Sequence, residues 1–172
     1  MEIKGMVYAS LFACLTVVGA YIAIPIGPVP ITLQTFFVLL AGSVLGSYLG
    51  ALSMLVYVLL GLIGIPAFAK GTSGIAHLIG PTGGYLIGFI VCAYVVGLFI
   101  EKRGKTFLNN IIAMTIGSAI IYIFGVGWLS FSLKINIEKA IFIGMVPFLV
   151  GDFLKLVAAS YLSTRIDIEV RK

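Results

Sequence analysis

Leu39-Leu40-Ala41-Gly42-Ser43-Val44-Leu45-Gly46-Ser47-Tyr48-Leu49-Gly50 lies in the middle of a largely apolar stretch that runs from Leu33 to Gly64. A continuous helix over that stretch would be about 48 Å long, well beyond the roughly 30 Å of hydrocarbon in a bilayer. The stretch therefore divides, and Gly46-Ser47 is where the backbone is least committed to helix. Two short helices are expected, Leu33 to Leu45 and Tyr48 to Ile63, the second ending before Pro66. The division decides the topology, because one helix fewer would move every later loop to the opposite side of the membrane.

Upstream, an apolar helix from Gly5 to Ile24 ends at Pro25-Ile26-Gly27-Pro28-Val29-Pro30, where three prolines remove backbone donors. It begins without a small-residue cleavage site and reads as an uncleaved span. Downstream, a glycine-rich loop from Ala67 to Gly80 is too polar to cross a bilayer. Further spans are expected from Pro81 or Thr82 to Ile100, from Phe107 to Trp128 and from Ala140 to Leu162. The chain thus reads as an all-α integral membrane protein of six transmembrane helices, one transmembrane domain over residues 1–172, embedded in the lipid bilayer.

Composition and charge agree with this. The 172 residues are 61% hydrophobic and only 10% charged, where a soluble domain carries about a quarter charged residues. The net charge of +5 does not form a nucleic-acid patch, because the basic residues stand between apolar segments. With cytoplasmic termini the inner face holds Lys4, Lys102, Arg103, Lys105, Arg165, Arg171 and Lys172, against Lys70, Lys134 and Lys139 outside. The positive-inside rule favours that orientation. The proline turn, the glycine loop and the loop before the last span then share the outer face.

Asp152 and Lys155 are the only charged residues deep within an apolar segment. Each such charge costs about 3 kcal/mol on insertion scales, and residues of this kind face the bundle interior, pair, or mark a ligand path. Their i, i+3 spacing puts both on one helix face. A structural ion pair and an intramembrane binding site both fit. Thr32, Gln34 and Thr35 open the second helix beside the proline turn and serve as caps or as pocket groups. Gly80-Pro81-Thr82-Gly83-Gly84-Tyr85 opens the fourth span with free N–H groups and little bulk, which suits an anion or a tight turn. Lys70 and His77 precede it. Tyr85, Tyr122 and Trp128 are candidate aromatic walls of a pocket for a small ligand with a polar head and an apolar body.

Gly5, Ala9 and Ala13 form a smooth stripe that fits internal packing or a partner. Gly42, Gly46 and Gly50, like Gly80, Gly84 and Gly88, fit internal packing. Cys14 and Cys92 lack metal or redox spacing and read as free, packed thiols. No nucleophile, metal or nucleotide motif is present, so no catalytic residue, metal ligand or cofactor is assigned.

Gly27-Pro28-Val29-Pro30-Ile31-Thr32-Leu33-Gln34-Thr35, Gly61-Leu62-Ile63-Gly64-Ile65-Pro66, Gly80-Pro81-Thr82-Gly83-Gly84-Tyr85-Leu86-Ile87-Gly88-Phe89 and Gly151-Asp152-Phe153-Leu154-Lys155 together resemble the BioY family. These are biotin-binding S-components of energy-coupling factor transporters in prokaryotes. The resemblance implies a multi-pass protein of the prokaryotic cell membrane that captures biotin near the outer face and has no enzymatic activity. It implies docking, through an Ala-xxx-Ala motif matched by Ala9 and Ala13, onto a transmembrane coupling subunit with two ATPase subunits. It also implies a ligand site drawn from Thr32, Gln34, Lys70, His77, Gly84, Tyr85, Asp152 and Lys155. Asp152 is expected to accept the ureido N–H groups and Lys155 to donate to the ureido oxygen, with the carboxylate toward Lys70 or the opening of the fourth span. The loop departs from the family pattern in carrying Lys70, Thr72 and His77 where more glycine is expected. The alternative from a different class is a self-sufficient secondary or proton-coupled carrier.

Overall fold

A computed structural model describes residues 3–168; Arg171 and Lys172, assigned above to the inner face, lie outside the described residues. The elements are α1 (Ile3–Tyr21), β1 (Ala23–Ile24), β2 (Ile31–Thr32), α2 (Gln34–Leu45), α3 (Ser47–Leu62), α4 (Ile75–Ile79), α5 (Gly83–Arg103), α6 (Phe107–Leu133), α7 (Ile137–Gly144) and α8 (Leu149–Arg165). Short 3-10 turns lie at Ala69–Gly71 and Val146–Phe148. Among the described residues four helical segments are long and apolar enough to cross a membrane, namely α1, α5, α6 and the composite Ile137–Arg165; α2 and α3 are shorter apolar helices.

The expected break in the central stretch is present. Gly46 adopts φ +85, a left-handed conformation that a side chain would strain. The Glu101 carboxylate, at the end of α5, closes the break by accepting from the Ser47 backbone N–H at 2.7 Å and from its hydroxyl at 2.9 Å. It thereby caps the orphan donors of α3, with a charge sign that the helix N-terminus favours.

The centre of the bundle is α2. Val38 to Leu45 are buried all round because α2 touches α1, α3, α5, α6 and α8. The tightest pair is α5 with α6, where Gly84 and Gly88 let the backbones close up: a Cβ on Gly84 would meet the Phe124 carbonyl and the Trp128 side chain. Outward faces carry exposed Val7, Leu11, Val18, Ile123, Phe153 and Leu154, the surface that a lipid-embedded protein presents.

Four features differ from the sequence reading. The turn after α1 is a small hairpin, pairing Ala23 with Thr32 and Ile24 with Ile31, and the polar loop contains the short helix α4. The last apolar segment is not one helix. Pro147 has no N–H to give to the i−4 carbonyl, and Phe148 N–H bonds Met145 O at 3.0 Å instead of continuing the ladder. The Gly144 carbonyl so released accepts the Tyr85 hydroxyl at 2.6 Å. Cys92 is buried as expected, but Cys14 is exposed, because it falls on the outward face of α1.

Candidate ligand-binding site

The break before α8 places Asp152 in the first turn of a new helix rather than deep inside an old one. A carboxylate is favoured there by the helix dipole, which offsets part of the cost of its charge. Asp152 and Lys155 lie on one face, with Lys155 Nζ 2.7 Å from Asp152 Oδ1, and each side chain keeps 13% of its surface exposed. Lys155 Nζ also donates to Thr32 O at 2.6 Å and to Thr35 Oγ1 at 3.2 Å. Asp152 further accepts from Thr35 Oγ1 at 3.0 Å and, on Oδ2, from the Tyr122 hydroxyl at 2.5 Å. The pair is therefore satisfied from α2, α6 and the hairpin, the condition under which a buried ion pair persists.

A second polar chain continues from Thr32. Its hydroxyl donates to Gln34 Oε1 at 2.8 Å and accepts from the Gln34 backbone N–H at 3.3 Å. With the amide oxygen so fixed, the Gln34 side-chain amide donates to the Tyr57 hydroxyl. An unbroken set of hydrogen bonds thus runs from Tyr122 on α6 through Asp152, Lys155, Thr32 and Gln34 to Tyr57 on α3.

These groups line a cavity of about 330 Å³. The proline turn from Gly27 to Pro30, the loop residues Phe68 to Lys70, Thr72 and His77, and Phe89, Ile121 and Phe148 complete its wall. Polar side chains make up about half of the lining residues and apolar side chains the rest, a combination that suits a small molecule with a polar head and an apolar body. The loop closes over it through local bonds, including Phe68 N–H to Thr72 O at 2.9 Å and Tyr21 hydroxyl to Pro66 O at 2.8 Å. The Phe68 ring stands edge-on to Tyr57 and tilts against His77, with centroids 5.8 Å and 5.7 Å apart.

Of the residues expected at the site, Thr32, Gln34, Lys70, His77, Tyr85, Asp152 and Lys155 all line this cavity. Gly84 does not, because it faces α6, where the missing side chain serves helix packing. Trp128, expected as a wall, instead bonds the Gly80 carbonyl through its indole N–H at 3.0 Å and holds the loop end against α6. Tyr57, Phe68, Phe89 and Phe148 went unread. Phe68 and Phe148 each follow a proline closely, a signal that was available; Tyr57 and Phe89 have no mark that separates them from lipid-facing aromatics.

Ala9 and Ala13 also need correction. They are expected at the partner-docking face, and are 2% and 1% exposed on the helix that packs against α2 and α3. The small residues on the outward face of α1 are Ser10 and Cys14.

Residues 1–172 match the family model described as BioY family. The chain is 47% identical over 163 residues to the biotin transporter BioY of Thermotoga maritima, covering 95% of each chain. It is 43% identical over 167 residues to the probable biotin transporter BioY of Pyrococcus horikoshii, covering 97% of this chain and 98% of that one. Its fold superposes with a TM-score of 0.87 and 30% identity on the S-component for biotin from an ECF-type ABC transporter, over 95% of this chain and 90% of the other. A multi-pass apolar bundle, a cavity lined by a part-buried ion pair, and similarity over the full length converge: the chain belongs to the BioY family.

Proposed function

We propose that this protein is the biotin-capturing S-component of an energy-coupling factor transporter in a prokaryotic cell membrane, and is not itself an enzyme. The observation that carries the proposal is the cavity lined by Asp152 and Lys155, in a chain whose relatives are named biotin transporters. The ureido head of biotin offers N–H donors and a carbonyl acceptor, the complement of a carboxylate beside an ammonium. Lys155 has each of its three N–H bonds occupied, and the longest, to Thr35 at 3.2 Å, is the one a ureido oxygen replaces. The thiophane and the apolar tail lie along Phe89, Phe148 and Leu86, and the carboxylate points toward Lys70 in the loop. No resident cofactor is assigned; biotin is the cargo.

The four long apolar helices and the two shorter ones make six crossings of a single domain with cytoplasmic termini. The basic loop around Lys102 and Arg103 then faces inward and the cavity outward. Transport is driven by partners, a transmembrane coupling subunit with two ATPases, and contact with them is assigned to the outward face of α1 around Ser10 and Cys14.

Equilibrium binding of biotin to the purified chain in detergent tests the reading. Tight binding by the chain alone is expected, with its loss in Asp152→Ala. A folded sample that ignores biotin overturns the proposal. A self-sufficient carrier would instead show gradient-dependent uptake by this chain alone in vesicles.

A further inference from the structure

The hydrogen-bond inventory of Asp152 limits how a ligand reaches it. A carboxylate offers about four lone-pair positions, two on each oxygen. Oδ1 has both occupied, by Lys155 at 2.7 Å and Thr35 at 3.0 Å. Oδ2 has one occupied, by the Tyr122 hydroxyl at 2.5 Å. One position remains, on Oδ2, and Tyr122 itself lines the cavity. The arrangement is anchored on three sides, since Thr35 belongs to α2, Tyr122 to α6 and Lys155 to the same helix as Asp152. Rotation of the carboxylate to free a second position would break the Tyr122 bond or the bond to Lys155, which is itself tied to Thr32 O at 2.6 Å.

We infer that Tyr122 is a positioning and specificity-determining residue: by occupying one position of Asp152 Oδ2 it holds the carboxylate so that its one remaining acceptor position meets a single ureido N–H in a fixed direction. The two N–H bonds of a cyclic urea diverge on either side of its carbonyl, so one carboxylate takes only one of them, and the expectation that Asp152 takes both is replaced. Tyr122 acts through Asp152. Its phenolic ring contributes to the apolar wall, while its hydroxyl sets the direction in which the carboxylate accepts. This inference rests on the biotin reading above.

The test uses biotin and the two cyclic carbamates in which one or the other ureido N–H is replaced by oxygen, a change that removes a donor without adding bulk. For the parent protein, one carbamate is expected to bind at least tenfold more weakly than the other, consistent with the loss of one bond to a charged group. In Tyr122→Phe, biotin affinity is expected to fall about tenfold and the gap between the two carbamates to shrink to within about threefold, because the carboxylate is no longer held in line with that one N–H. A purely structural role would weaken all three ligands alike and leave the gap intact, which overturns the inference. Equal weakening of both carbamates on the parent protein overturns it without any variant, while biotin binding itself still stands. A parent protein that binds no biotin removes both readings.

Discussion

At the scale of single residues, Lys155 and Asp152 illustrate why a buried pair is more easily broken than replaced. Lys155→Met leaves Asp152 with no counter-charge in a site only 13% exposed, and removing one partner of such a pair costs about 3 kcal/mol or more. A clear fall in the unfolding temperature in detergent is expected, together with loss of biotin binding. The double variant Asp152→Asn, Lys155→Met carries no stranded charge, so its unfolding temperature is expected to recover most of that fall while binding stays absent. A double variant as unstable as the single one would count against a pair kept for function. These two residues were legible in the sequence because a charge in an apolar segment has few explanations. Gln34 and Thr32 were legible as polar residues beside a proline turn. Tyr57 was not, because its role depends on Gln34 reaching it across the bundle, and no local pattern encodes that contact.

At the scale of elements, the joint between α7 and α8 shapes the site. Pro147 interrupts the ladder, Tyr85 takes up the free Gly144 carbonyl, and α8 restarts so that Asp152 falls in its first turn. Pro147→Ala restores a donor and lets the two helices run closer to one continuous rod. Its expected signature is biotin affinity reduced by tenfold or more, with the unfolding temperature unchanged or raised, read by titration and thermal melts on the same samples; unaltered affinity would show that the joint does not set the pair's position. The split between α2 and α3 was readable from length alone, because a bilayer has a fixed thickness. The joint before α8 escaped notice because Gly144-Met145-Val146-Pro147 is as apolar as its surroundings and the segment is already long enough to span. The hairpin and α4 are too short to leave a periodic trace, and their form follows from the loop folding over the cavity.

At the scale of the whole molecule, capture and delivery are separable. The cavity is walled by α2, α3, α5, α6, α8 and the loops, whereas the outward face of α1 with Ser10, Cys14 and exposed Leu11 borders no part of it. Ser10→Leu with Cys14→Leu is therefore expected to abolish biotin uptake in cells that carry the coupling partners, while the purified double variant binds biotin with affinity unchanged within about threefold. Equal loss of both would place α1 in the site instead. The proposed sidedness of the bundle rests on its lysines and arginines, which among the described residues stand in loops and near helix ends, Lys155 apart. The short pair clamped by Glu101 has a further effect on the surrounding membrane. At 12 and 16 residues, α2 and α3 extend only about 18 Å and 24 Å. On the proposed six-crossing topology α2 is enclosed by protein, so the lipid is expected to meet the deficit along α3, where acyl chains splay or shorten to cover it. The consequence expected of that topology is a dimple in the bilayer on one flank, an asymmetry of elastic stress that would favour one orientation toward any neighbour able to relieve it.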